Sequence, residues 1–182
     1  METNQTKVVT GKVRFSYANV FEPTAMNEGD ALKYNVCILI PKEDTKTLEK
    51  IDKAIKAAIE LGKSKLANSQ GKIPSNIKLP LRDGDEERSD DPAFEGMYFL
   101  NANSSRKPNV VDKDLNPILD KDEFYSGCYG RASINFYAFN VSSKGIACGL
   151  NNLQKLSDGE RLAGGSSAED DFGGDNAYED LM

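Results

Sequence analysis

The sequence contains no histidine, and this removes several classes of catalytic site. Neither a Ser-His nor a Cys-His nucleophile pair can form, because in both an imidazole is the base that activates the nucleophile. Zinc sites that include histidine are excluded for the same reason. An enzyme of this composition would need carboxylates with a metal ion, or lysine and tyrosine chemistry.

Cysteines are few, and long apolar runs are missing. Cys37, Cys128 and Cys148 are odd in number, far apart and set in apolar, strand-like segments. This pattern predicts reduced core thiols rather than a disulfide framework. No apolar run approaches the roughly 20 residues of a membrane-spanning helix, and the N-terminus has no apolar signal core. We therefore expect a soluble intracellular protein without membrane association.

The net charge of −6 is unevenly distributed along the 182 residues. Residues 157–182 hold eight acids and one base, whereas residues 1–156 hold 22 bases and 21 acids. A segment so acidic and so rich in glycine and serine cannot bury enough apolar surface to fold by itself. The sequence predicts one folded domain over 1–156 and a disordered acidic tail over 157–182.

The body of the chain shows strand patterns and one strong helix pattern. Strands are predicted over residues 6–21, 32–41, 97–104, 127–140 and 146–150. The helix begins at Asp44 or Thr45 and repeats apolar residues at three- and four-residue spacing as far as Ile59. Residues 73–95 are polar and rich in proline, and are expected to form a surface loop or insertion. Short antiparallel strands with one helix favour a small barrel or curled sheet.

Residues 128–139 alternate between two different faces. One face is small and apolar, as a barrel interior requires: Cys128, Gly130, Ala132, Ile134, Phe136 and Ala138. The other combines aromatic rings with a cation and polar groups: Tyr129, Arg131, Ser133, Asn135, Tyr137 and Phe139. Such a face is suited to stacking unpaired bases, with Lys12 and Arg14 of the first strand beside it. The alternative is a second, mixed core beneath the helix or the long loop.

Two acidic clusters suggest metal sites. Residues 112–123 place oxygen ligands at most positions of a calcium-binding loop. Pro117, however, occupies the position that needs a glycine with positive φ, and the flanks are not helical, so we expect a solvated acidic loop. The acids of residues 83–91 could hold magnesium for a nuclease, but they lie in a segment without a predicted rigid frame. No metal or cofactor is therefore expected.

Several pieces of the chain, taken in order, resemble a phage and prophage family of single-stranded-DNA-binding proteins with acidic C-terminal tails. The later pieces are a long strand starting at Gly127 and ending in NFYAFN, the turn Lys144–Gly145, CGLNNLQKL at Cys148–Leu156 and DGERLAGG at Asp158–Gly165. The opening VTGKVRFSYANVFEP and the strand–helix step YNVCILIPKED also match.

The resemblance implies a mostly β OB-fold, a five-stranded Greek-key barrel with one helix, interrupted by the long loop. It also favours base stacking over the mixed core. The function expected is non-enzymatic, sequence-independent binding of single-stranded DNA in phage replication or recombination, in the cytoplasm of the bacterial host. The alternative is a protein–protein interaction module that binds no nucleic acid. Homo-oligomerisation is left open. The expected DNA-binding residues are Lys12, Arg14, Lys33, Tyr129, Arg131, Tyr137 and Phe139.

By the same resemblance, the tail competes with DNA for a basic groove and docks replication or recombination proteins. The residues expected to do so are Asp170, Asp171, Phe172, Asp175, Tyr178, Glu179, Asp180 and Leu181. Glycine-rich slack lets such a segment reach a cationic cleft, while its apolar side chains offer a partner something to grip. A tail that only increases solubility is the alternative.

Deletion of residues 166–182 tests this role, because it removes six acids and no bases. If the tail occupies the groove electrostatically, the truncated protein binds oligo-dT more tightly, and the gain shrinks towards about 0.5 M salt as screening weakens the attraction. Fluorescence titration at several salt concentrations measures the effect. Equal affinities of full-length and truncated protein at every salt concentration would leave only the solubility role.

Overall fold

The computed structural model describes residues 5–25, 29, 31–141 and 143–162. The tail residues expected to dock partners, 170–172, 175 and 178–181, lie outside this range. The strands are β1 (Lys7–Val9), β2 (Val13–Thr24), β3 (Lys33–Pro41), β4 (Arg82–Asp83), β5 (Met97–Ser104), β6 (Asn109–Val111), β7 (Tyr129–Asn140) and β8 (Lys144–Ser157). The helices are α1 (Thr45–Leu61), α2 (Lys63–Leu66), α3 (Gly84–Glu87) and a 3-10 turn, Pro92–Phe94.

The five long strands pair in a ring, in the arrangement of an OB-fold. β2 pairs with β3, β3 with β5, β5 with β8, β8 with β7, and β7 with β2. Only the β5–β8 pair in this ring is parallel. The predicted fold class is confirmed, and the short strands β1, β4 and β6 add to the ring. Of these, β6 pairs with β8 in parallel.

The main core lies inside the ring and beneath α1. It is built from the inward residues of the long strands and one face of the helix, among them Phe15, Ile38, Ile51, Leu100 and Phe136. α1 begins as predicted, because the Asp44 carboxylate caps it by accepting a hydrogen bond from the Thr47 amide (3.2 Å). No helix in the described ranges is long and apolar enough to span a bilayer.

The long segment between α2 and β5 is more ordered than its composition suggests. β4 pairs with β5, and Lys78 exchanges backbone hydrogen bonds with β8. Phe94 is fully buried and packs edge-on against Phe99 at 5.1 Å between ring centroids. With Cys37 and Leu39 these rings form a second apolar cluster, which covers the outer side of β3. β3 is therefore buried on both faces over residues 36–40.

The first predicted strand keeps its alternation only in the middle. The period-two pattern predicts Val9, Val13, Phe15 and Tyr17 on the buried face; Val13 and Phe15 are buried, yet Val9 and Tyr17 are 39% and 46% exposed, whereas Thr10 and Ser16 are buried. The chain breaks between β1 and β2, and Tyr17 has a φ of +47°. Both features interrupt the alternation that a single continuous strand would keep.

The three cysteines are free and buried, as predicted. Burial raises the pKa of the Cys37 thiol to about 12 and that of Cys148 still further. Because the thiolate is the reactive species, these side chains are core residues rather than nucleophiles.

Candidate nucleic-acid interface

β7 separates its side chains as the alternation predicts. The six small and apolar residues from Cys128 to Ala138 are all buried inside the ring. On the opposite face, Arg131 and Tyr137 are exposed, and Tyr129, Ser133, Asn135 and Phe139 are partly exposed. The mixed-core alternative is therefore wrong for this face.

An unexpected feature of the outer surface is a row of asparagines across the strands. Asn19 pairs with Asn35, Asn35 with Asn103, and Asn103 with Gly149. Gly149 in turn pairs with Asn135. All four asparagines, here called the asparagine row, point away from the core because each is next in sequence to a residue that points into it.

Neighbouring side chains hold most of the row in place. Asn19 Nδ2 donates to Asn35 Oδ1, and Asn35 Nδ2 donates to Thr24 Oγ1, both at 3.0 Å. Asn135 Oδ1 accepts from Thr6 Oγ1 at 2.7 Å. The amides are partly exposed, so each retains hydrogen-bonding capacity for a ligand.

Tyr137 lies beside the row and over a strip of small residues. It is 42% exposed, and its Cε1 lies 3.6 Å from where a Cβ on Gly149 would be. The β8 residues opposite Tyr137 and Phe139 are Ala147 and Gly145. Burial raises the pKa of the Tyr137 phenol, so the ring is uncharged at neutral pH. The result is an aromatic surface that no bulky neighbour on β8 obstructs.

Cations lie towards both ends of the row. Lys33 is exposed at the start of β3, and Arg106 and Lys107 follow directly after β5, the strand that pairs with β3. The Lys107 ammonium lies 5.7 Å from the Phe21 ring centroid. At the other end, the exposed Lys7 of β1 pairs with Asn135.

The remaining predicted residues form a separate group at the start of β7. Lys12 Nζ and Arg14 Cζ each lie 5.3 Å from the Tyr129 ring centroid. Arg14 is occupied by the backbone: its Nε donates to Gly127 O at 3.0 Å and its Nη2 to Glu160 O at 2.7 Å. Arg131 Nε donates to Thr10 O at 2.9 Å. The sequence analysis placed all the expected DNA-binding residues on one surface. The structure divides them into one group beside the asparagine row and another at the start of β7.

Residues 158–162, which we call the strap, fold back over this second group. Arg161 Cζ lies 4.5 Å from the Tyr125 ring centroid, and the Leu162 amide donates to Ser126 O at 3.0 Å. Hydrogen bonds from Lys155 and Tyr125 lower the pKa of Asp158. The Leu162 side chain packs on the second apolar cluster. The chain therefore keeps contact with the barrel beyond residue 156, and where the tail begins stays a prediction.

Sequence reasoning also missed a cation between two aromatic rings. Arg88 donates through Nη2 to Tyr17 Oη at 2.7 Å, and its Cζ lies 4.5 Å from the Phe94 ring centroid. These residues are far apart in the chain, so no local pattern signals the group. The asparagine row has only a weak signal, one outward asparagine on each of four strands, and the pairing register alone aligns them.

The acids of residues 83–91 are engaged in structural contacts. Lys42 Nζ lies 2.8 Å from carboxylate oxygens of both Asp83 and Asp85 and lowers the pKa of each. Asp91 caps the 3-10 turn through the Ala93 amide. Among the residues that the structure describes, no group of three or more Cys, Asp or Glu is placed to hold a metal ion. The segment does have a frame, contrary to the sequence expectation, and Asp83, Asp85, Glu87 and Asp91 make contacts within it.

Replacing Arg14 with Gln separates a structural cation from a free one. The variant loses charged hydrogen bonds to two carbonyls and should be destabilised by roughly 1–3 kcal/mol, because those oxygens lose their donor. Lys12→Gln, beside the same ring, is the matched control and should change stability by less than about 0.5 kcal/mol. Urea unfolding measures both, and equal effects would contradict the assigned role of Arg14.

Comparison with known proteins identifies the family to which this chain is similar. The family model described as the single-stranded-DNA-binding protein of Enterobacter phage Enc34 matches residues 6–182. Protein p50 of Acyrthosiphon pisum secondary endosymbiont phage 1 is 32% identical over 166 residues, which cover 89% of each chain.

Solved structures agree with this match. The bacteriophage Enc34 single-stranded-DNA-binding protein in complex with single-stranded DNA superposes with a TM-score of 0.71 at 26% identity, covering 90% of this chain and 96% of that one. Bacteriophage T7 gp2.5, also a single-stranded-DNA-binding protein, shares the fold with a TM-score of 0.65 at 14% identity, covering 88% and 97%. The chain therefore belongs to the Enc34 family of phage single-stranded-DNA-binding proteins.

Proposed function

We propose that this protein binds single-stranded DNA without base specificity and that the strand crosses the asparagine row beside Tyr137. The observation that carries the proposal is the alignment of four outward amides across the strands. They lie next to the exposed aromatic side chain of Tyr137, which covers small residues of β8. The structure of the Enc34 relative in complex with single-stranded DNA supports the ligand class.

The chemistry of the row suits a ligand of any sequence. Followed around the ring from β2 through β3, β5 and β8 to β7, the row crosses four strand spacings, a path of roughly 19 Å at about 4.8 Å each. Amide side chains donate to phosphate oxygens and accept from base edges, so they hold the backbone without selecting one base. An aromatic ring adds stacking worth roughly 1–3 kcal/mol per base, whichever base is present.

The predicted site residues receive different roles in this proposal. Tyr137 and Phe139 stack bases, while Lys33 with Arg106 and Lys107 holds phosphates at one end. Lys12, Tyr129 and Arg131 offer a second contact for a strand that continues along β7. Arg14 positions Tyr129 and the strap, because its hydrogen bonds are committed to carbonyl oxygens.

The wider role proposed is coating of single strands during phage DNA replication or recombination in the host cytoplasm, with no catalytic step. The acidic tail would compete with DNA and dock replication or recombination proteins. Membership of the phage family and a body far less acidic than the tail support this assignment. A protein interaction module that binds no nucleic acid is the competing function.

Alanine at Tyr137 tests the proposed interface. Loss of one stacking partner should weaken binding to oligo-dT about tenfold or more and leave the unfolding midpoint nearly unchanged, because the ring is exposed. Asn103→Ala should also weaken binding to oligo-dT. Lys33→Gln should also flatten the dependence of affinity on salt concentration.

Asn76→Ala provides the matched control, since it removes an exposed asparagine that lies between α2 and β4 and does not belong to the row. Fluorescence anisotropy at low and high salt measures the affinity of all four variants for oligo-dT and oligo-dA. Unchanged affinity for Tyr137→Ala and Asn103→Ala would move the interface elsewhere. Failure of the unaltered protein to bind either oligonucleotide at low salt would favour the interaction module.

A further inference from the structure

Tyr17 on β2 is held in a strained and exposed conformation. Its φ is +47°, a value that residues other than glycine rarely adopt, and its side chain is 46% exposed. The Tyr17 hydroxyl accepts a hydrogen bond from Arg88 Nη2 at 2.7 Å, and Arg88 Cζ lies 5.5 Å from the ring centroid. Strained residues of this kind are concentrated at binding sites, where the surrounding structure holds them in place. The Tyr17 ring is thus fixed on the outer surface and takes no part in the main core.

The pairing of β2 with β3 places Tyr17 beside the asparagine row. Asn19 pairs with Asn35 of the row, and Ser16 pairs with Cys37. Tyr17 is therefore displaced from the row in the direction of Cys37. The Asn19 Nδ2 also donates to Tyr17 O at 3.2 Å, so the ring adjoins the β2 end of the row directly.

The same displacement leads across the sheet to Tyr137. Cys37 pairs with Asn101 on β5, and the β5–β8 register continues this line to Ala147, which pairs with Tyr137. Asn101 is exposed, and Ala147 is small. The two tyrosines therefore flank the asparagine row on the same side, one at each end.

Cations lie on the other side of the row. In the direction away from the two tyrosines, Lys33 is two residues from the row on β3, and Arg131 is four residues from it on β7. Arg106 follows the row by three residues, just beyond the end of β5. Glu22 is the only acid within the described bounds of the five long strands. The row is therefore bordered by aromatic rings on one side and by cations on the other.

The surface beyond Tyr17 is acidic. Arg88 lines a cavity of about 350 Å³ whose other walls include four acids: Asp85, Asp90, Asp91 and Glu95. The nearest of these, Asp91, has a carboxylate oxygen 3.8 Å from Arg88 Nη2. These acids repel a phosphate on the tyrosine side of the row, whereas they do not repel an uncharged base.

We propose that Tyr17 is a second base-stacking residue, so that a single strand crosses the row from Tyr137 to Tyr17. The bases lie on the side of the two tyrosines, and the phosphates lie on the side of Lys33 and Arg106. This inference rests on the proposed function, which places the strand on the row but gives no role to Tyr17. Because the path along the row is roughly 19 Å, two different bases of the same strand stack on the two rings.

Photocrosslinking of the unaltered protein tests this path without changing a side chain. The probe is the shortest oligo-dT that binds with full affinity, chosen from lengths of about 4 to 16 nucleotides, with a single 5-iodouracil moved along it. Peptide mass spectrometry should find crosslinks to Tyr137 from one position of the probe and to Tyr17 from another position several nucleotides away. Crosslinks to both tyrosines from one and the same position, or to Tyr137 alone from every position, would overturn the inference.

A pair of variants at Tyr17 separates stacking from a structural role. Tyr17→Asn removes the ring, and asparagine adopts a positive φ more readily than tyrosine, so the unfolding midpoint should not fall. Its affinity for the same oligo-dT should fall about tenfold or more. Tyr17→Phe is the matched control, because it keeps the ring and removes only the hydroxyl, and it should retain most of the affinity. Fluorescence anisotropy and thermal unfolding measure these quantities.

The outcomes distinguish this inference from the proposed function. Unchanged affinity in Tyr17→Asn, together with weakened binding in Tyr137→Ala, would overturn the role of Tyr17 and leave the asparagine row as the interface. A lowered unfolding midpoint in Tyr17→Asn, with no crosslink to Tyr17, would make the ring a structural residue and would also overturn it. If neither Tyr137→Ala nor Tyr17→Asn weakens binding, the proposed interface itself is wrong.

Discussion

The alternation of inward and outward side chains along the β7–β8 pair is the constraint on which the rest of the structure depends. β7 fills the ring with its small and apolar residues, and this forces its polar and aromatic residues onto the outer surface. β8 meets the same demand with Ala147 and Gly149 on its outer side, which leave Tyr137 uncovered. Because β8 also pairs with β5, the amide of Asn103 aligns with that surface. Packing of the core and exposure of the candidate interface thus follow from one register.

Some parts of the outer surface of the strand ring are covered by other segments, and other parts are accessible to a ligand. The segment before β5 and the side chain of Leu162 cover the outer side of β3 around Cys37 and Leu39. Further along the same strand, Asn35 stays partly exposed. At the start of β7, the strap and Arg14 lie against Tyr129, which stays partly exposed. The part left open is the one that holds Asn103, Gly149 and Tyr137.

The sequence predicted those features that depend on short-range patterns. The Asp44 cap, the apolar repeat of α1 and the two faces of β7 are each determined within a few residues, and the structure has all three. The sequence did not predict the features that depend on contacts between segments far apart in the chain. The burial of Phe94 depends on its packing with Phe99 and Leu39. The asparagine row depends on the register between four strands, which no local pattern reveals. Arg14 was placed on the correct face, but its two carbonyl partners come from residues 127 and 160.

The most direct test of the central claim is to map where a bound strand touches the full-length protein. Photocrosslinking of oligo-dT followed by peptide mass spectrometry gives these positions without altering any side chain. The account predicts crosslinks at Tyr137 and in the β5 peptide that contains Asn103, with weaker ones near Tyr129. Crosslinks concentrated at Tyr17 and Arg88, with none at Tyr137 or on β5, would contradict it.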